Sequence, residues 1–163
     1  MDGLENFMVV STAKAFEQDR EKTYCIFTKP RHIEKIVNFL NSKTGIQYYI
    51  TSDKQEIINF AFPFDIGISY CCPYILNLDS RPFYNYHPAP LEYKGSNVYA
   101  RAIKKDMTVW GVTLHKMTSE VDCGEVIQEI LFDMDEPCST NEIGTIAHAY
   151  LFKLFRQTIG IKI

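Results

Sequence analysis

The stretch Phe83-Tyr-Asn-Tyr-His-Pro-Ala-Pro-Leu-Glu-Tyr-Lys-Gly95 is the part of this chain from which the fold can best be predicted. Its apolar, aromatic run stops at a proline, which predicts a strand that ends close to His87. Asn85 and His87 are two positions apart, so an extended chain points both side chains to the same side. A second stretch, Gly111-Val-Thr-Leu-His-Lys-Met-Thr-Ser-Glu-Val-Asp-Cys-Gly124, ends in a short predicted turn that contains Asp122.

An amide, an imidazole and a carboxylate are the groups needed to move a carbonyl group from one nitrogen to another. Asn85 can donate an N–H to the oxygen that gains negative charge. His87 can donate to the same oxygen or accept the proton of an incoming amine. Asp122 is expected to orient this imidazole and to raise its pKa by favouring the charged form. His115 alternates with apolar residues on a predicted strand, so we expect it to make a structural hydrogen bond rather than to act in catalysis.

Length and composition indicate one soluble domain spanning residues 1–163. The hydrophobic share of 46% and the charged share of 23% are ordinary for a globular protein. A net charge of −3 argues against a protein that coats nucleic acid. No apolar run approaches the roughly 18 residues that a membrane span needs, and the first residues do not resemble a signal peptide. We therefore expect a cytoplasmic protein with no membrane partner.

The five cysteines show no metal-binding spacing. There is no Cys-x-x-Cys pair, and the expected state is free, buried thiols at Cys25, Cys71, Cys72, Cys123 and Cys138. The sequence therefore predicts no metal site.

Strands and helices are predicted to alternate along most of the chain. The predicted strands are 23–28, 46–51, 64–70, 81–86, 111–117 and 125–132; the predicted helices are 32–40, 53–60, 95–104 and 139–155, with Ser52 as cap of the second and a capping box at Ser139 and Glu142. This order is typical of an α/β, Rossmann-like three-layer domain whose mainly parallel sheet ends in an antiparallel hairpin. Residues 1–22 are predicted to be an N-terminal arm or an edge element.

The loop after the first confident strand, Thr28-Lys-Pro-Arg-His32, contains no glycine. A Gly-rich loop that cradles phosphate with backbone N–H groups is therefore absent from this position. A nucleotide that binds this domain would need other contacts.

Four motifs together resemble one known family. They are Asn-x-His-Pro from Asn85, Leu-x-Tyr-x-Gly from Leu91, Gly-Val-Thr-x-His-x-Met from Gly111, and Asp-x-Gly from Asp122, with Ile127 three residues after Gly124. The chain resembles the 10-formyltetrahydrofolate-dependent formyltransferases, which include glycinamide ribonucleotide transformylase, methionyl-tRNA formyltransferase and the sugar N-formyltransferases. The resemblance is strong from about residue 64 to residue 128 and weak before it.

The resemblance implies which residues form the site. The catalytic Asn, His and Asp of the family fall on Asn85, His87 and Asp122. The positions that resemble its folate pocket are Tyr74, Ile75, Leu76, Glu120 and Val121, although Cys71, Cys72 and Pro73 depart from the family's usual Gly- and aromatic-rich loop. The positions that border the acceptor are Tyr93, Lys94 and Asn97, with Lys94 placed to meet a pyrophosphate. The implied co-substrate is 10-formyltetrahydrofolate, without a metal.

The identity of the acceptor is inferred from what the chain lacks. Glycinamide ribonucleotide enzymes carry a Gly-rich phosphate loop, and methionyl-tRNA enzymes carry a basic surface for tRNA. The His87-Pro-Ala-Pro90 form most resembles sugar N-formyltransferases, so the expected acceptor is the amine of a nucleotide-linked amino sugar. Glycinamide ribonucleotide, another amine or a formyl-handling step in metal-centre maturation stay open, as does a non-catalytic folate- or nucleotide-binding module. The expected partner is thus a small molecule, and a homo-oligomer is left open.

Overall fold

A single mixed sheet organises the computed structural model, which describes residues 7–11, 22–43, 45–134 and 139–159. Its strands in these ranges are β1 (Phe7–Ser11), β2 (Thr23–Thr28), β3 (Gln47–Thr51), β4 (Ile66–Tyr70), β5 (Phe83–His87), β6 (Val109–Lys116) and β7 (Val126–Asp133). Their order across the sheet is β1-β7-β6-β5-β4-β2-β3.

The strand directions confirm the predicted fold class. Strands β3, β2, β4 and β5 are parallel neighbours, whereas β6 runs antiparallel to both β5 and β7, and β1 runs antiparallel to β7. The pairing aligns Asn85 with Ser69 on one side and with His115 on the other. Because residues directly opposite each other on paired strands point to the same side, this register places Asn85 and His115 on the same face of the sheet.

The helices are α1 (Pro30–Asn41), α2 (Lys54–Ile58), α3 (Val98–Lys104) and α4 (Thr140–Thr158). Helix α1 begins two residues before its predicted start, because Pro30 occupies the first turn, where its missing N–H costs nothing. The predicted Ser52 cap of α2 is wrong: the carboxylate of Asp53 accepts the N–H groups of Gln55 and Glu56 instead. The capping box of Ser139 and Glu142 is confirmed at the start of α4.

Two apolar cores lie on the two faces of the sheet. Alternation along β2 illustrates the division, since Tyr24 and Ile26 belong to the larger core and Cys25 and Phe27 to the smaller one. Helices α1, α3 and α4 pack into the larger core through residues such as Ile36, Ala102 and Leu151. Helix α2 and the loops around it cover the opposite face through residues that include Ile57, Phe64 and Leu76. The result is a three-layer arrangement.

The N-terminal segment contributes β1, which lies at one edge of the sheet and pairs with β7. Of the segment predicted as an arm or edge element, only residues 7–11 and 22 belong to the described ranges. In the part of the chain that the structure covers, no helix combines the length and the apolar character needed to cross a membrane.

The cysteines depart from the expectation of buried thiols. Cys25 is buried, Cys71 and Cys72 are half-buried, and Cys123 is exposed; all four are free. Cys123 is exposed because it lies in the turn before β7 rather than in a core. Cys138 lies outside the described residues.

Candidate active site

The tertiary structure brings Asn85 and Asp122 into contact at the edge of the sheet where the parallel strands end. Asn85 is on β5, and Asp122 is in the turn between β6 and β7. The amide nitrogen Nδ2 of Asn85 lies 3.2 Å from Oδ1 of Asp122 and donates to it. Ligands of such sheets bind at this edge, so the contact lies where a substrate is expected.

His87 is the last residue of β5 and is 6% exposed. Its Nε2 lies 2.9 Å from the carbonyl oxygen of Tyr93, and its Nδ1 lies 3.8 Å from Oδ2 of Asp122. A carbonyl oxygen only accepts, so Nε2 carries a hydrogen and Nδ1 is the nitrogen left for proton transfer. The geometry thus differs from the sequence-based expectation: the carbonyl of Tyr93 orients the imidazole, while Asp122 lies beyond hydrogen-bond distance.

For both His87 and Asp122, burial shifts the pKa in one direction and the main neighbouring groups shift it in the other. Burial lowers the pKa of His87 below its usual value, although Asp122 and the Tyr93 carbonyl pull it upward. The expected rise from Asp122 is therefore outweighed, and the ring is neutral at neutral pH. For Asp122, burial would raise the pKa, but the neighbouring imidazoles of His115 and His87 and the backbone N–H of Gly95 bring it to about 2. The site thus presents a carboxylate beside a neutral imidazole.

The turn that carries Asp122 has an unusual backbone. Asp122 has φ +50°, a left-handed conformation that Asp and Asn tolerate better than other non-glycine residues. The backbone N–H of Gly95 donates to its Oδ2 at 2.8 Å. At Gly124 a Cβ atom would lie 1.6 Å from the carbonyl oxygen of Lys116, so only glycine fits there. The Asp-x-Gly spacing therefore has a steric reason.

His115 is a site residue that the sequence analysis assigned to structure alone. Its Nε2 lies 3.2 Å from Nδ2 of Asn85 and 3.4 Å from Oδ1 of Asp122. Its Nδ1 lies 2.9 Å from the carbonyl oxygen of Lys116. His115 is thus closer to the Asp122 carboxylate than His87 is. The alternation of His115 with apolar residues in the sequence does not reveal this contact. Its pairing opposite Asn85 in the sheet does.

The two segments expected to hold folate expose apolar side chains. Ile75 is 79% exposed and Val121 is 53% exposed. Tyr74 is half-buried, Leu76 is buried in the smaller core, and Glu120 is exposed.

The three residues expected to border the acceptor have different surroundings. The ring of Tyr93 is buried and contacts Trp110 edge-on at 4.8 Å between ring centres. Lys94 is exposed and donates to Sγ of Cys123 at 2.8 Å, which raises the pKa of the lysine. Asn97 is exposed, has φ +56° and precedes α3 without a side-chain cap. The main chain of Tyr93, rather than its ring, reaches His87.

A His–Cys cluster lies beyond the end of β4, at the same edge of the sheet. Side-chain atoms of His32, Cys71 and His148 that could bind a metal lie within 4.8 Å of one another. The cluster is tertiary, because the residues come from α1, the loop after β4 and α4, and so sequence spacing could not reveal it. Burial and nearby cations lower the pKa of His32 to about 3 and that of His148 to about 4. Burial raises the pKa of Cys71 to about 12.

The charges around this cluster favour an anion over a metal cation. The guanidinium of Arg31 lies 3.2 Å from Nε2 of His32 and 3.4 Å from Nε2 of His148, so it occupies ring nitrogens that a metal would need. Lys29 and Lys35 also act on both imidazoles, and each lowers the pKa. Three positive charges beside neutral rings oppose a further cation and attract phosphate.

A second basic feature lies beside α3. A surface pocket of about 330 Å³ is lined by Glu92, Tyr93, Arg101, Lys104, Lys105 and Met107. It is separate from the Asn85–Asp122 contact but adjoins Tyr93, whose carbonyl holds His87. The end of the sheet that carries Asn85 and His87 is thus flanked by two groups of basic side chains.

The comparisons with known proteins identify the fold. No family model and no curated protein matches the sequence. Among solved structures, a 4-N formyltransferase from Francisella tularensis is 20% identical with a TM-score of 0.74, covering 86% of this chain and 69% of the other. A phosphoribosylglycinamide formyltransferase from Campylobacter jejuni subsp. jejuni is 20% identical with a TM-score of 0.65, covering 85% and 95%.

A third similar structure was solved with ligands. The formyltransferase PseJ from Anoxybacillus kamchatkensis, in complex with UDP-4,6-dideoxy-4-formamido-L-AltNAc and tetrahydrofolate, is 22% identical with a TM-score of 0.68, covering 82% of this chain and 73% of the other. These likenesses show that the chain has the formyltransferase fold, as its motifs suggested. They include structures of both the sugar and the glycinamide ribonucleotide class.

Proposed function

We propose that this protein transfers a formyl group from 10-formyltetrahydrofolate to the primary amine of a nucleotide-linked amino sugar. The observation that carries the proposal is the meeting of Asn85, His87 and Asp122 at one edge of a formyltransferase fold. Three chemically different groups from two distant segments converge there, and acyl transfer between nitrogens needs all three.

Each residue has a role that its surroundings allow. The amide of Asn85 donates to the formyl oxygen as negative charge develops on it. Neutral His87 accepts the proton of the attacking amine at Nδ1, since its Nε2 is held by Tyr93, and passes a proton to the departing nitrogen. Asp122 is charged, and it stabilises the imidazolium that forms 3.8 Å away.

The folate co-substrate supplies the formyl carbonyl. Its pterin ring would lie between the loop of Tyr74, Ile75 and Leu76 and the turn of Glu120 and Val121. The exposed faces of Ile75 and Val121 fit this assignment, because an apolar ring removes them from water. Nothing in this role requires a metal ion.

A phosphate-bearing acceptor fits the charges at the site. Lys29, Arg31 and Lys35 surround the His–Cys cluster at the same edge of the sheet as His87. Side-chain cations would thus take the part that a Gly-rich loop plays in glycinamide ribonucleotide enzymes. The ligand of the similar PseJ structure, a UDP-linked formamido sugar, carries two phosphates and so matches this chemistry.

The direct test is incubation with 10-formyltetrahydrofolate and a panel of amines: UDP- and dTDP-linked amino sugars, glycinamide ribonucleotide and simple amino sugars without phosphate. Mass spectrometry would detect the formamide product. Formylation of the nucleotide-linked sugars alone would support the full proposal. Thermal stabilisation by folate without any product would overturn it in favour of a binding module.

A further inference from the structure

Three side-chain atoms at the site form a nearly equilateral triangle. Nδ2 of Asn85 is 3.2 Å from Nε2 of His115 and 3.2 Å from Oδ1 of Asp122, and the last two atoms are 3.4 Å apart. His115 is 2% exposed and Asp122 is 7% exposed. Since solvent is largely excluded, the side chains must satisfy one another.

The tautomer of His115 follows from its other nitrogen. Nδ1 lies 2.9 Å from the carbonyl oxygen of Lys116, which can only accept a hydrogen bond. Nδ1 therefore carries the hydrogen, and Nε2 of the neutral ring is an acceptor. In that state, Nε2 and the Asp122 oxygen are two acceptors that face each other without a proton between them.

The amide of Asn85 resolves this conflict in the neutral state. Its nitrogen must face the triangle, because its oxygen would otherwise lie against a carboxylate. Each acceptor lies 3.2 Å from the amide nitrogen, so each takes one of its two hydrogens. The donors of Asn85 are then directed into the triangle rather than toward a substrate oxygen.

We infer that protonation of His115 frees an amide hydrogen of Asn85 for the formyl oxygen. A hydronium ion gives its proton to Nε2, so one O–H bond breaks and one N–H bond forms, and the new N–H donates to Oδ1 of Asp122. Nε2 no longer accepts from Asn85, and no other covalent bond changes. His115 is therefore a positioning residue that acts through Asn85. The role of the freed hydrogen rests on the proposed formyl transfer; the hydrogen-bond exchange does not.

The charged groups around His115 make the exchange depend on His87. The groups that face His115 are the carboxylate of Asp122, from the β6–β7 turn, and the imidazole of His87, from β5, whose ring centre is 6.4 Å away. The proposed role of His87 as a base requires its neutral form, in which it places no second positive charge beside a protonated His115.

Nuclear magnetic resonance of the full chain tests the exchange without any substrate. The chain has only four histidines, so ¹⁵N labelling of histidine and asparagine side chains gives few signals, and an Asn85→Ser variant assigns the Asn85 amide. We expect neutral His115 to carry its hydrogen on Nδ1 and the Asn85 amide signals to shift with the His115 titration. Asn85 amide signals that stay constant through the His115 titration would overturn the inference. So would a neutral His115 ring that carries its hydrogen on Nε2.

The kinetic test uses His115→Gln, whose amide occupies the Nε2 position but does not titrate. If formyl transfer is detected, kcat of the unmodified protein should fall at alkaline pH with the His115 titration. His115→Gln should lack that fall and keep the KM for the amine, because an oxyanion donor acts in the transition state. The exposed Lys116→Gln variant is the control. Equal pH profiles for the His115→Gln variant and the unmodified protein would overturn the positioning role, while complete inactivity toward every amine contradicts only the proposed function.

Discussion

Nδ2 of Asn85 donates to Oδ1 of Asp122 at 3.2 Å, although the two residues are 37 positions apart in the chain. The contact forms because β5 and β6 are antiparallel neighbours and the turn after β6 returns to the end of β5. It couples the amide expected to stabilise an oxyanion with the carboxylate expected to stabilise an imidazolium.

His87→Asn should abolish turnover while folate still binds. Asparagine keeps a polar group near the Tyr93 carbonyl but cannot accept the proton of an amine at neutral pH. Loss of general base catalysis typically lowers kcat about 10²- to 10⁴-fold. Steady-state kinetics and folate titration by calorimetry would measure the two effects. Turnover equal to that of the unmodified protein would exclude this role.

Asp122→Asn should remove a pH-dependent part of the folding stability. The pKa of the carboxyl falls from 3.8 to about 2 on folding, so the unfolded chain binds more protons between those values. Stability from this group, about 2 kcal/mol, is present above about pH 4 and is lost as the pH falls toward 2. Urea unfolding of both proteins at several pH values between about 5 and 3 should show their difference shrinking as the pH falls. A constant difference would contradict the assignment.

Gly124→Ala should destabilise the protein and displace the turn that holds Asp122. The new Cβ would lie 1.6 Å from the Lys116 carbonyl oxygen, which is backbone and cannot rotate away. We expect a loss of about 1–3 kcal/mol or more in the free energy of unfolding, together with reduced activity. Gly144→Ala is the matched control, because its Cβ would meet only the ring of Tyr99 at 3.2 Å. Equal stability of the two variants would refute the steric explanation.

Lys35→Gln should raise the KM for a nucleotide-linked acceptor about tenfold, since a hydrogen bond to a charged group contributes roughly 1.5–3 kcal/mol. The KM for an amine without phosphate should not change. Lys104→Gln, in the basic pocket beside α3, is the comparison variant. If Lys104→Gln raises the KM for the nucleotide-linked acceptor more than Lys35→Gln does, the phosphate groups bind at α3 and not beside α1.

Ile75→Ser should weaken folate binding about tenfold, because the exposed side chain would lose an apolar contact made only in the complex. Stability of the free protein should barely change, since Ile75 is 79% exposed. Leu78→Ser, a half-buried neighbour packed against the smaller core, should instead lower stability. Fluorescence titration with tetrahydrofolate and thermal melts would separate the two. Unaltered affinity in Ile75→Ser would remove this loop from the folate site.

Regular periodicity explains why most of the fold could be predicted. The pattern of Ile36 and Leu40 predicted α1, and the capping box predicted α4. Cap choice at α2 was not predictable, because Ser52 and Asp53 are both good caps and only backbone geometry selects Asp53. Burial at the site was not predictable either, and burial lowers the pKa of His87 where a neighbouring carboxylate alone would raise it.

The residue pattern shows which chemical groups are available and where strands place two of them, because Asn85 and His87 share a face through strand alternation. The tertiary structure sets how the groups meet. It holds His87 by the Tyr93 carbonyl, places His115 against Asn85 and Asp122, and assembles His32, Cys71 and His148 from three elements. The physical reason is that contacts between distant segments depend on strand order and register, which no local pattern encodes.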